Sequence, residues 1–356
     1  MDNTTRGKLQ PYMGMIKLVS AVSGLVIASV GGLYIYINHY LDTNYPIRPE
    51  ITSKATRKLL RGAALREHIA PDPQIAYMFM LSALEQIYSD GKLDESSEAV
   101  QEIIVRMAHA AAQIGEQKPA KQMLETAWEK VVDSDGRIRG LGDSESWRMQ
   151  HVCRVAEALG PLLMDCGEYK TAIRTYGTAL QAARAMQNND NDSDELLLKQ
   201  ANYVTSLGEA FAMDKDYESA RTLLSSVLVD LKKREQPKNV VDKWTCLDAV
   251  VMLDLAQVER QQGNVEKSQQ WAETGLQETK KWKRVGACDN CQAHLLSHLA
   301  HLSESQENVK EALGYYSLAI KHFQETGTGN MEQMDTASRQ LKQRLVESTK
   351  QPDDSN

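Results

Sequence analysis

The strongest constraint on the fold of this chain is a set of small residues at fixed distances from a turn. Within residues 159–180, Gly167 separates two apolar runs that have helical spacing. Gly160 lies seven residues before this glycine, and Ala172 and Ala179 lie five and twelve residues after it. Small side chains at fixed positions on two helices allow their backbones to approach closely. The pattern therefore predicts a hairpin of two tightly packed helices.

The same offsets recur along most of the chain. The other copies have their turns at Gly115, Lys215, Gly263 and Glu307, and the first copy has Pro71 and Pro73 in its turn. The key small residue of the second helix falls at Ala76, Ala120, Ala172, Ala220, Ser268 and Ala312. These offsets are typical of the tetratricopeptide repeat (TPR), in which helix A, a turn and helix B form one unit. The intervals of 44, 52, 48, 48 and 44 residues exceed the usual length of about 34 residues, which predicts long helices and polar links.

The sequence thus predicts an all-α protein with one N-terminal transmembrane helix followed by a TPR superhelical solenoid. We expect about six long-helix repeats over residues 54–324 and a C-terminal capping helix over residues 331–348. Each repeat buries its apolar face against its neighbours, so the array is expected to form one right-handed superhelix with a groove lined mainly by the A helices. Residues 349–356 are expected to form a disordered tail.

The N-terminal region has the features of a membrane span. Residues 18–37 contain no charge, and 20 residues are enough for a helix to cross roughly 30 Å of hydrocarbon. Arg6, Lys8 and Lys17 precede the span, whereas only Arg48 follows it closely. The positive-inside tendency then keeps residues 1–17 on the matrix or synthesis side, with residues 38–53 as a juxtamembrane linker. The alternative, a cleaved signal peptide, has a shorter apolar region and an A-x-A-like site, which this sequence lacks.

Small residues also recur within the predicted span. Ser20, Gly24, Ala28 and Gly32 follow one another at steps of four and therefore share one helix face. Such a face lets a second membrane helix pack closely, although small residues are common in membrane helices in general. The stripe predicts contact with another transmembrane subunit.

Charge and motifs argue against several functions. The formal net charge is −7 and no basic block is present, so nucleic-acid binding is not expected. The sequence contains no GxxxxGK[ST], HExxH or GxSxG motif. We therefore expect no enzymatic activity and no cofactor.

A cysteine- and histidine-rich segment allows three interpretations. Cys288 and Cys291 precede a helix on which Cys291, His294, His298 and His301 share a face. Two thiolates with imidazoles can bind zinc, and a CxxC pair at a helix N-terminus can be redox-active. The third interpretation, which we favour, is a structural thiol pair, oxidised or reduced, that closes the turn into the last repeat.

The groove is the better candidate for a binding site. Inward-facing helix A positions of TPR arrays correspond here to Arg154, Glu157, Asn202, Glu209, Gln257, Arg260, His294 and His301. In the first four repeats, the fifth and ninth helix A positions lack the Lys-Asn pair with which one TPR class grips the C-terminal carboxylate of chaperones. A mixed polar groove suits unfolded or extended protein segments, and a merely solvated surface is the alternative.

Together, these features resemble one mitochondrial family. The single span, the short linker and the long-helix repeats are accompanied by CDNC at 288–291 and by APDP at 70–73. In these features the chain resembles the fungal inner-membrane TPR adaptor of the i-AAA protease. The resemblance implies a non-catalytic adaptor for mitochondrial quality control, with its N-terminus in the matrix and its repeats in the intermembrane space. Its implied partners are the i-AAA protease, unfolded or misassembled client proteins and another membrane subunit.

Two further functions fit the same pattern. One is a tail-docking receptor or scaffold for protein import, with its repeats in the cytosol. The other is an assembly factor for a respiratory complex, which would share the compartment but bind other partners.

Overall fold

The chain is helical throughout nearly all the residues that the structure describes. The computed structural model describes residues 29–139, 145–189, 194–233, 246–281, 286–326 and 331–348. Thirteen helices with both ends in these ranges are numbered here as α1 Lys54–His68, α2 Pro73–Asp90, α3 Glu98–Gln113, α4 Gln117–Val131, α5 Glu145–Asp165, α6 Tyr169–Asn189, α7 Asp194–Met213, α8 Tyr217–Lys233, α9 Leu247–Gln261, α10 Val265–Lys280, α11 Gly286–Ser305, α12 Val309–Thr326 and α13 Met331–Ser348. The prediction of an all-α protein is confirmed.

The helices fall into two compact units, residues 1–127 and residues 128–356. In the first, α1 packs on α2 and α2 packs on α3. In the second, every helix from α5 to α13 packs on the next one in the chain, and the A helices α7 and α9 also touch. This nearest-neighbour pattern is that of a helical repeat protein. One continuous superhelix through both units stays a prediction.

The turns lie where the sequence predicted them. Gly115, Gly167, Lys215, Gly263 and Glu307 all have positive φ, between 64° and 88°. After each of these residues the next N–H donates to a carbonyl five residues back, as Glu168 N does to Leu163 O at 2.8 Å. This bond satisfies a carbonyl that the end of helix A leaves open. The backbone geometry explains why glycine is common here, and Lys215 and Glu307 adopt it as well.

The predicted small residues lie in the helix–helix contacts. Ala76, Ala120, Ala172, Ala220, Ser268 and Ala312 are all fully buried. On the facing helix, Gly160 packs directly against the ring of Tyr176, and a Cβ on Gly208 would lie only 2.6 Å from Leu224 Cγ. Helix A therefore approaches helix B too closely in these two repeats for even a methyl group.

Gly160→Ala is expected to lower the free energy of unfolding by about 1–3 kcal/mol, the usual cost of overpacking a core. The new methyl group would meet the Tyr176 ring, which is itself buried and has little room to move. Urea unfolding measures the change. The matched control is Gly177→Ala on α6, where a Cβ meets nothing within 4 Å; removing a helical glycine there should stabilise the unit by about 0.5–1 kcal/mol. Equal effects at the two sites would contradict the close approach of the helices.

The N-terminal span lies partly outside the described residues. Residues 29–44 are helical, while residues 1–28, including Ser20, Gly24 and Ala28, lie outside the description. Gly32 is exposed, with nothing within 4 Å of the position of a Cβ. Across the ranges that are described, no helix has the length and apolar character needed to cross a membrane.

Candidate binding face on the A helices

The predicted groove residues lie on the A helices of the second unit, and nearly all are open to solvent. Arg154 is half-buried, whereas the other seven, Glu157, Asn202, Glu209, Gln257, Arg260, His294 and His301, are exposed. They belong to α5, α7, α9 and α11, which are the A helices of the last four repeats. We call these eight residues the helix A face. The face is polar and mixed in charge, as expected for a surface that contacts protein segments rather than one anionic ligand.

On α5, the Glu157 side chain of the face contacts two side chains of α7. The Tyr203 hydroxyl donates to Glu157 Oε1 at 2.8 Å, and Lys199 Nζ lies 3.6 Å from the same oxygen. Burial and the nearby Glu157 charge raise the pKa of Tyr203. Glu157 therefore helps to fix α7 against α5, so its carboxylate serves packing between repeats as well as the surface.

Glu209 at the centre of the face and Asp254 beneath it are two carboxyl groups without a basic partner among the described residues. Glu209 reaches solvent, but protein surrounds its carboxylate closely enough that desolvation raises its pKa. Asp254 on α9 is buried, with only 7% of its surface exposed, and its Oδ2 accepts no hydrogen bond from the residues that the structure describes. Burial and the Glu209 charge raise the pKa of Asp254 well above its usual range. This part of the face is therefore suited to a positive charge.

The three histidines of α11 are not gathered into one cluster. His298 is buried, and its Nε2 lies 2.8 Å from Ser268 Oγ, which itself donates to Ala256 O. His301 Nδ1 lies 2.8 Å from the Tyr316 hydroxyl, and His294 packs edge-on against Phe323. Each ring therefore meets a different protein partner. In the described part of the chain, no three His, Cys, Asp or Glu side chains are placed to hold a metal ion.

The expected pairing of Cys288 with Cys291 is wrong. Cys288 forms a disulfide with Cys246, with the two Cα atoms 5.4 Å apart. Cys246 immediately precedes α9 and Cys288 lies in the first turn of α11, so the bond joins the starts of two successive A helices. Cys291 is a free, buried thiol, and burial together with the charges of Asp254 and Asp248 raises its pKa to about 12. A thiol of this kind is protonated at neutral pH, which argues against the redox pair considered from the sequence.

Sequence reasoning missed Asp254 and Cys246, although each left a signal. Asp254 is the one charged residue in the apolar run VVMLDLAQV at 250–258, where a carboxylate needs an explanation. Cys246 and Cys288 precede the small helix A residues Ala256 and Ala300 by ten and twelve residues. Both cysteines lie at the start of an A helix, and the starts of adjacent A helices are neighbours in a repeat protein, so the repeat pattern offered this pair as a candidate.

Comparison with known proteins supports the fold alone. No family model matches the sequence, and no curated protein matches it. Among solved structures, the apo form of RapI has a TM-score of 0.50 at 12% identity and covers 82% of this chain and 99% of its own. A Rap protein complexed with competence and sporulation factor has a TM-score of 0.48 at 14% identity, with 83% and 71% covered. A tetratricopeptide repeat protein from Parabacteroides merdae has a TM-score of 0.46 at 11% identity, with 81% and 99% covered.

Proposed function

We propose that this chain is a membrane-tethered adaptor that binds unfolded or misassembled proteins and delivers them to the i-AAA protease for mitochondrial quality control. The observation that carries the binding role is the helix A face, a polar stripe that is exposed on four successive A helices. An extended segment can contact several repeats of such a stripe at once, whereas a compact ligand would contact one or two. The role requires no catalytic chemistry of the chain itself.

The membrane tether rests on the residues around 18–37. Within the described helical residues 29–44, Val30, Leu33, Tyr34, Ile35 and Tyr36 are each at least 59% exposed. An exposed apolar patch of this kind marks a surface that contacts a membrane or another protein. Together with the uncharged sequence before it, this patch supports the proposed span. The small-residue stripe from Ser20 to Gly32 would then face a second transmembrane subunit.

The disulfide provides evidence about the compartment in which the repeats lie. Disulfides persist in oxidising compartments and are rare in the cytosol. The Cys246–Cys288 bond therefore favours the intermembrane space for the repeats over the cytosolic orientation of an import receptor. This placement agrees with the charge asymmetry around the span, which leaves the N-terminus in the matrix.

Delivery to a protease follows from tethering. A binding face held on the membrane beside the protease raises the effective concentration of a bound client at the proteolytic pore without any new contact. The identity of that protease rests on the family resemblance of the span, the repeats and the CDNC segment.

Protease protection in mitochondria tests the orientation. The repeats are expected to survive added protease in intact mitochondria and to be digested once the outer membrane is ruptured. Digestion before rupture would place the repeats in the cytosol and would favour the import receptor.

Affinity purification of the full chain from detergent-solubilised mitochondria tests the partners. The expected result is recovery of the AAA protease, with more client protein when the protease is inactive. Recovery of respiratory-complex subunits and assembly intermediates without the protease would favour the assembly factor. Recovery of chaperones alone would contradict the adaptor role.

A further inference from the structure

A buried carboxyl group, that of Asp254, lies under the centre of the helix A face. One side of α9 is formed by residues that follow one another at helical steps of four, three and four, namely Val250, Asp254, Gln257 and Gln261. Gln257 and Gln261 are exposed, whereas Asp254 is 7% exposed. Asp254 thus lies beneath the exposed stripe, on the side of α9 that carries the face.

Leaving this carboxylate unpaired is costly. A buried polar atom without a partner loses its hydration and gains nothing in return, and a charged atom loses more. Asp254 Oδ2 has no hydrogen-bond partner among the described residues, and α7, which carries Glu209, touches α9, which carries Asp254. In the described residues, no lysine or arginine lowers the pKa of either carboxylate. A cation placed beside Asp254 would oppose both effects that raise its pKa and would allow this carboxyl group to ionise.

The surrounding groups narrow the choice of cation. The Glu209 charge acts on Tyr176 of α6, whose hydroxyl also has Ser206 of α7 as a hydrogen-bond partner, and the Asp254 charge acts on the Cys291 thiol of α11. In the part of the chain that the structure describes, no group of three His, Cys, Asp or Glu side chains is placed to hold a metal ion. A lysine or arginine instead brings its charge on an aliphatic stem that can pack beside Tyr176.

We propose that Glu209 and Asp254 form a subsite of the helix A face that binds a lysine or arginine side chain of the client segment. The proposal rests on the proposed role of this face in binding extended protein segments. Glu209 meets the cation at the surface, and Asp254 provides the buried end of the subsite. The subsite fixes the position of the client segment along the face, because a basic residue of the client is held opposite α7 and α9.

Peptide binding to the full chain in detergent tests this subsite. The probes are two labelled, extended peptides that differ only at one central residue, which is lysine in one and glutamine in the other. Fluorescence anisotropy is expected to show roughly 30-fold tighter binding of the lysine peptide, as for other desolvated charge pairs. Asp254→Asn should remove this preference and leave the affinity for the glutamine peptide unchanged. Glu209→Gln should reduce the preference by roughly threefold, since an exposed pair contributes less.

Glu266→Gln is the matched control. It removes the same charge from an exposed position on α10, a B helix, and should leave the preference intact. Asp254→Asn keeps the side-chain volume and removes a buried ionisable group, so thermal unfolding should show no loss of stability. If that variant fails to fold, two measurements still test the subsite: the effect of Glu209→Gln, and the difference in affinity between the two peptides for the unmodified chain.

The failure of this inference is distinguishable from the failure of the proposed function. Equal binding of the lysine and glutamine peptides to the unmodified chain would overturn the subsite and leave the binding face standing. So would a lysine preference that survives Asp254→Asn. If neither peptide binds, the proposed role of the helix A face is wrong, and the subsite is wrong with it.

Discussion

Cys246→Ala is expected to lower the free energy of unfolding of the unit at residues 128–356 by about 4 kcal/mol. The reason is the loop that the disulfide closes, since Cys246 and Cys288 are 42 residues apart in sequence. Without the bond, the unfolded chain regains the conformational freedom of that loop. Alanine retains a Cβ, so the backbone at position 246, where φ is 71°, carries the same strain in both proteins. Urea unfolding followed by tryptophan fluorescence measures the difference.

The control for this variant is Cys166→Ser, which changes an exposed free cysteine of the same unit and should have little effect. The reduced, unmodified chain should match Cys246→Ala, because both lack the same bond. Hydrogen exchange should locate the loss in α9, α10 and α11, the helices within and beside the closed loop. An oxidised unmodified chain that is no more stable than Cys246→Ala would contradict the disulfide.

The second large effect is a loss of stability at acidic pH that depends on His298. Burial, with smaller contributions from Arg260 and His301, lowers the pKa of His298 to about 4. In the unfolded chain a histidine has a pKa of about 6.5. As the pH falls through 6.5, the unfolded state takes up a proton that the folded state does not accept until about pH 4. The stabilisation is therefore complete above pH 6.5 and declines below it, by about 3 kcal/mol over this window.

Urea unfolding across that pH range measures the effect. His298→Gln removes the titrating group while its amide can still reach Ser268 Oγ, so the decline should be shallower in this variant. His109→Gln, which removes an exposed histidine from the other unit, should leave the decline unchanged. An equally steep decline in His298→Gln would show that other groups cause the loss.

Backbone constraints made the repeat predictable. A turn with positive φ, as at Gly167, and a contact without room for a methyl group, as at Gly160, each admit few residue types. The spacing between such positions can therefore be recognised in the sequence even where the other residues differ from repeat to repeat. Lys215 and Glu307 show the strength of this register, because the offsets identified their turns without glycine.

The details of the binding face were less accessible to sequence reasoning. Helical periodicity placed His294, His298 and His301 on one face, but α11 has neighbours on several sides, so His298 is buried against Ser268 while the other two are exposed. Sequence proximity likewise suggested pairing Cys288 with Cys291, whereas the packing of the A helices brings Cys246 to Cys288. Contacts between repeats depend on how the helices pack, and local spacing does not determine them.

Site-specific photo-crosslinking tests the central claim most directly. A photoreactive amino acid at Gln257 would lie on the exposed helix A face, and the same group at Glu266 would lie on the exposed surface of a B helix. The full chain would be irradiated with an unfolded membrane protein as the client. We predict crosslinks to the client from position 257 and few or none from position 266. Equal crosslinking from both positions, or crosslinks from position 266 alone, would contradict a binding role of the helix A face.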